Sequence, residues 1–122
     1  MGETFLGYIG GDDFVIITAA EDDEYLAELI IEKFDLGICR FFKSKDLLRG
    51  YLVCPDRQHK IVNTPLTSIS IAIVSNSDRK LKNHLEISDR AAELKKRVKE
   101  MPGSNFIKDR RMEKTNGEFE LC

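Results

Sequence analysis

Tryptophan is absent from this chain, and its 122 residues include only three cysteines, three prolines and two histidines. Cys39, Cys54 and Cys122 are too few and too scattered for a disulfide-rich scaffold or a four-ligand zinc site. No apolar run approaches the ~18 residues of a membrane span and no signal-peptide core is seen. A reduced, cytoplasmic protein, or the cytosolic part of a larger one, is therefore expected, with no direct membrane contact. Strong net charge is lacking as well. The 19 basic and 21 acidic side chains leave −2, which excludes a strongly basic nucleic-acid binder and a highly charged disordered chain.

What is present, 42% hydrophobic and 8% aromatic residues, suffices for one ordinary domain with one modest core. The charge is unevenly spread. Residues 1–36 carry ten acids and one base, whereas residues 79–114 carry twelve bases and six acids. The two ends offer opposite fields to an anion unless folding brings them onto one surface.

Thr4 to Ile9 and Phe14 to Thr18 are apolar runs separated by Gly10, Gly11, Asp12 and Asp13, the pattern of two strands joined by a tight hairpin. From Asp22 the period changes: Leu26, Leu29, Ile30 and Phe34 share one side of a helix over about 23–36, capped by Asp22 or Asp23 and ending near Gly37. Residues 38–66 are less regular, with a second hairpin read from Arg49 to Cys54, a Pro55-Asp56 turn and a return over Lys60 to Asn63. Ile69, Ile71 and Ile73 alternate with smaller residues in a strand over 67–74. Asn83 and Glu86 have capping-box spacing ahead of Ile87, Ala91, Leu94, Val98 and Met101, and Pro102-Gly103 ends that helix. Phe106 and Ile107 open a last strand, residues 1–114 form the domain, and residues 115–122 form a polar tail. This order predicts an α/β (α+β) sandwich in which helices pack on one face of a small, mostly antiparallel sheet.

The most distinctive local feature is the Gly10-Gly11-Asp12-Asp13 turn. A glycine pair lets a phosphate chain lie against bare backbone, and the next carboxylate can hold a divalent ion that bridges phosphate oxygens. Asp12 is then the metal ligand and Asp13 the carboxylate that supports it or orients a nucleophile. A metal site needs a further oxygen donor that local sequence does not identify, and the same four residues also make a good hairpin turn with no ligand at all.

The segment Tyr8-Ile9-Gly10-Gly11-Asp12-Asp13-Phe14-Val15 resembles the signature hairpin of GGDEF domains, the diguanylate cyclase family, with Asp13 in place of the usual glutamate. Ser68-Ile69-Ser70-Ile71-Ala72 is similar to the family's late "VSIGIA" strand. Ala91 to Lys96 followed by Pro102-Gly103-Ser104-Asn105 is similar to its last helix and "GRN" turn. Phe106 to Arg111 resembles the "F-x-x-DRR" ending of a divergent subgroup often attached to EAL and CBS domains.

The resemblance implies a nucleotide-cyclase/ferredoxin-like fold and the condensation of two GTP molecules into cyclic di-GMP by a homodimer using Mg²⁺. It assigns phosphate approach to Gly10 and Gly11, the metal to Asp12, the second catalytic acid to Asp13 and, with one residue of slippage, phosphate binding to Lys99. It also marks departures. Only nine residues precede Gly10, so the family's first strand, two helices, further metal donors and guanine-recognising side chains are expected to be missing. Ser104 stands where the "GRN" arginine would be, and the "RxxD" product-inhibition site would fall on Met1 and Thr4. Each lost charge-assisted phosphate contact costs about 1.5–3 kcal/mol. These departures favour a non-catalytic or degenerate signalling module, acting by dimerisation or weak GTP and Mg²⁺ binding, over the alternative of a fragment from an active cyclase. Expected partners are a second copy and attached signalling domains, with no nucleic acid. The truncation is expected to leave a sheet edge or apolar face exposed.

Lys95, Lys96, Arg97 and Lys99 form a basic patch, read as the solvated face of an amphipathic helix ahead of a phosphate or RNA surface. Asp109 is expected to pair with Lys108, Arg110 or Arg111, and His59 and His84 to sit in turn or surface positions.

Overall fold

The computed structural model describes residues 3–76 and 81–110. The chain makes a mixed α/β fold of antiparallel sheets and packed helices. Its elements are β1 (Phe5–Gly10), β2 (Asp13–Ile17), α1 (Asp23–Ile38), α2 (Ser44–Arg49), β3 (Tyr51–Pro55), β4 (Ile61–Pro65), β5 (Ser70–Ile73), α3 (His84–Lys99) and β6 (Asn105–Lys108). The Arg111 pairing, Cys122, the domain boundary at 114 and the polar tail lie outside the described residues.

One sheet is expected from the element order, but among the described residues there are three two-stranded ones. β1 pairs antiparallel with β2 and β3 with β4, each closed by its own turn. β5 and β6 pair in parallel, from Ser70 opposite Asn105 to Ile73 opposite Lys108. Parallel partners need a crossover, and α3 supplies it by packing back onto both strands. α1 completes this α3–β5–β6 body, whose interior holds Ala27 of α1, Ile73 of β5, and Leu94 and Val98 of α3.

The stripe Leu26, Leu29, Ile30 and Phe34 is half-buried against this body, and the small Ala27 is the α1 residue that goes fully inside. α1 starts where expected, although neither aspartate caps it in the usual way. Asp22 occupies the cap position without a side-chain bond, while Asp23 Oδ1 accepts the Glu24 N–H at 2.5 Å. The cap on α3 is as its spacing predicts: Asn83 Oδ1 accepts from the Glu86 N–H at 3.0 Å. The return arm differs, because Glu86 Oε2 accepts from the Lys82 N–H at 2.8 Å and not from that of Asn83.

α2 carries no periodic signal in six residues. It is closed by Gly50 in the left-handed region (φ 87°), whose N–H bonds to the Asp46 carbonyl. The β3–β4 tip is an Asx turn in which Asp56 Oδ1 accepts from the N–H groups of Gln58 and Lys60, with His59 at φ 64°. His84 is the exposed first residue of α3.

Acidic and basic ends do meet on shared surfaces. Asp13 pairs with Lys95 at 2.8 Å, Asp23 with Lys108 at 2.9 Å and Glu24 with Arg110 at 2.7 Å. Lys108 and Arg110 thus reach α1, and the Asp109 N–H ties β6 to β5 through the Ile73 carbonyl at 2.8 Å.

Candidate functional site

The β1–β2 hairpin delivers the Gly10 to Asp13 turn. β1 carries an irregularity between Tyr8 and Gly10, after which Gly10 pairs with Asp13. Gly10 (φ 143°) and Gly11 (φ 58°) both take backbone conformations that favour glycine. A Cβ built on either would meet nothing within 4 Å, so the bare backbone faces open space and is not packed shut. The turn is braced from beneath, where the Tyr8 hydroxyl donates to the Gly11 carbonyl at 2.8 Å and the Tyr8 ring lies 5.2 Å from that of Phe14.

Asp12 is exposed, while the Asp13 carboxylate accepts a hydrogen bond from Lys95 Nζ at 2.8 Å. That bond, then the Lys95 charge, and more weakly the charge of Lys99, hold the Asp13 carboxyl below its ordinary value of 3.8. Of the residues anticipated from sequence, Asp13 is the one that gains a basic partner, and Lys99 acts on it only as a weaker charge. Lys95 is the member the site reading missed. It lies four residues before Lys99, a spacing that sets both on one helix face and was open to view in the sequence.

Two features of the expected site are not assembled. Among the described residues no group of three or more His, Cys, Asp or Glu side chains could enclose a metal ion. Asp12 and Asp13 alone fall short of a Mg²⁺ cage, so any such ion must take further oxygens from a nucleotide or water. An open recess of about 500 Å³ lies elsewhere, beside the first half of α3 among Lys82, Leu85, Glu86 and Arg90, and includes no residue of the turn. The glycine backbone of the turn faces open space outside that recess.

Ser104, at the position the resemblance gives to a phosphate-binding arginine, has a different task. Its hydroxyl accepts from the Ile69 N–H at 3.1 Å and donates to Asp35 Oδ1 at 2.6 Å. One side chain thereby joins the approach to β5, the second half of α1 and the turn into β6.

No helix among the described residues is long and apolar enough to cross a membrane. No protein-family model, no curated protein and no solved structure matches this chain.

Proposed function

We propose that this chain is a non-catalytic, GGDEF-like signalling module of nucleotide-cyclase/ferredoxin-like ancestry. In this reading it binds the phosphates of GTP weakly at the Gly10 to Asp13 turn and works in cyclic di-GMP signal transduction as a homo-oligomer joined to other signalling domains. The observation that carries it is the reach of Lys95 of α3 to the acidic side of a turn whose glycine backbone is open. Bare amides and an ammonium group suit a phosphate chain. Asp12, free of any partner among the described residues, is the group to meet a Mg²⁺ ion arriving with the nucleotide. Guanine recognition has no counterpart among these residues, so ATP should bind almost as well as GTP. Turnover is not expected, because Ser104 is engaged with Ile69 and Asp35 and supplies no cation.

Calorimetric titration with GTP in Mg²⁺ tests this. Lys95→Gln should weaken binding about tenfold, the low end for an exposed charge-assisted contact. Asp12→Ala should weaken it only when Mg²⁺ is present, and Asp13→Asn should tighten it by releasing Lys95. Absence of heat, or identical heats for wild type and Asp12→Ala in Mg²⁺, would refute the site. Cyclic di-GMP formation by this chain would refute the non-catalytic part alone.

A further inference from the structure

We infer that the β1–β2 hairpin is a hinged arm, latched onto α3 by the Asp13–Lys95 ion pair and released when that pair is screened or displaced. No side chain of the hairpin is buried: from Phe5 to Ile17 only Gly7, Gly10 and Asp13 are half-covered, and every other residue is exposed. Its two strands pair with each other and, among the described residues, neither lies along another strand or packs broadly on a helix of the body. Phe5, Phe14 and Ile17, which would anchor a packed hairpin, are each more than half exposed. Apolar burial therefore does not dock the hairpin. Among the described residues, the polar contact that crosses from hairpin to body is Lys95 Nζ to Asp13 Oδ1 at 2.8 Å, with the two side chains 35% and 48% exposed.

The other end of the arm supplies the hinge. β2 runs toward α1 through Thr18 and Ala19, which belong to no strand or helix, and Ala19 is extended (φ −62°, ψ 140°) just before the short helical turn at Ala20–Asp22. A few such residues at the end of an element absorb a rigid-body rotation. The ladder from Phe5 opposite Ile17 to Gly10 opposite Asp13 lies wholly within the arm, so opening at the hinge breaks no backbone pairing. An exposed ion pair is worth only about 1.5- to 5-fold in an equilibrium constant, and salt weakens it. With no apolar contact to outweigh it, a factor of that size decides whether docked or open arms prevail. Lys99, one turn further along α3, adds a weaker pull on Asp13. While latched, the Asp13 carboxylate occupies Lys95, so the pair is also an autoinhibitory contact: an anion that uses this ammonium must first displace Asp13. That consequence rests on the functional reading above, whereas the arm and its latch do not.

Backbone amide nitrogen relaxation and amide shifts on the full chain, without nucleotide, test the arm. At about 20 mM NaCl the amides of residues 5–17 should tumble mostly with those of α3; at about 1 M, where the Debye length falls to about 3 Å, their local correlation time should shorten while that of α3 holds. Lys95→Gln should show the open behaviour at every salt concentration, with the docked-to-open ratio read from the Gly10 to Asp13 amide shifts lowered about 1.5- to 5-fold. Lys96→Gln, on the same helix but outside the pair, should respond as wild type does. The reversed pair Asp13→Lys/Lys95→Asp should restore salt-sensitive docking. Asp13→Asn replaces Lys95→Gln should circular dichroism show the latter unfolded. Hairpin amides that move with α3 in Lys95→Gln as in wild type, a wild-type hairpin indifferent to salt, or a Lys96→Gln chain as open as Lys95→Gln would overturn the inference. A salt-sensitive arm in a chain that gives no GTP heat would uphold the latch and refute only the nucleotide site.

Discussion

Replacing Ser104 by alanine removes a single oxygen that serves two bonds, one from the Ile69 N–H and one to Asp35 Oδ1. An unsatisfied backbone donor costs about 1–3 kcal/mol when buried, and a hydrogen bond to a charged group is worth about 1.5–3 kcal/mol. Ser104 is half-buried and Asp35 is exposed, so water recovers part of both and the loss settles at about 1–2 kcal/mol. In a domain of this size that corresponds to a fall in Tm of roughly 5–10 °C. Urea unfolding followed by circular dichroism should show a lower midpoint with an unchanged slope. The informative companion is Ser104→Arg, which installs the cation that the resemblance would place there. Arginine has five donors and no acceptor, so it can hold Asp35 but cannot serve the Ile69 N–H. It should therefore be no more stable than Ser104→Ala and should gain no cyclase activity. A Ser104→Ala change within about 0.5 kcal/mol of wild type, or a Ser104→Arg chain more stable than wild type, would refute the structural role assigned to this hydroxyl.

Lys108 and Asp23 meet at 2.9 Å with both side chains about one-tenth exposed. Lys108→Met strands the Asp23 carboxylate, and urea unfolding should register a loss of about 3 kcal/mol, most of it recovered in Asp23→Asn/Lys108→Met; a loss under about 1 kcal/mol would mean that water already solvates the pair. Asp13 provides the pH signature. Its carboxyl sits below 3.8 in the folded chain, so its stabilising contribution is present above that value and is lost as pH falls through the folded pKa. Carbon-detected NMR titration should find the Asp13 carboxyl low in wild type and back in the ordinary range in Lys95→Gln, and an identical titration in both would dissociate it from Lys95.

Local chemistry made much of the fold readable. Glycines between two apolar runs mark the first hairpin, Pro55-Asp56 marks the second, and Asn83 with Glu86 sets the start of α3. The end of α1 shifted by only two residues, because Gly37 stays in helical conformation and Ile38 carries the helix into a tighter turn over Cys39 to Phe41. α2 escaped notice since six residues contain less than two turns of period. Strand pairing was less legible: the parallel register of β5 and β6 depends on how α3 returns across them, which no residue of either strand states. The candidate site was legible at its turn and less so at its cations, because Lys95 is separated from Asp13 by 82 positions and only folding reveals the contact.

Comparable separations recur, among the described residues, in other links between the two charged ends of the chain. Asp13 to Lys95 and Glu24 to Arg110 are each partly exposed, and ion pairs of this kind contribute little stability singly. Their value is positional. Together with Asp23 and Lys108 they fix α1 against β6 and the hairpin turn against α3; among the described residues the buried apolar side chains, Ala27, Ile73, Leu94 and Val98, all belong to the body and none to the hairpin. The hairpin therefore depends on polar contact and on whatever covers its apolar faces. In the functional reading proposed above, an anion that draws Lys95 from Asp13 loosens the tie between hairpin and helix.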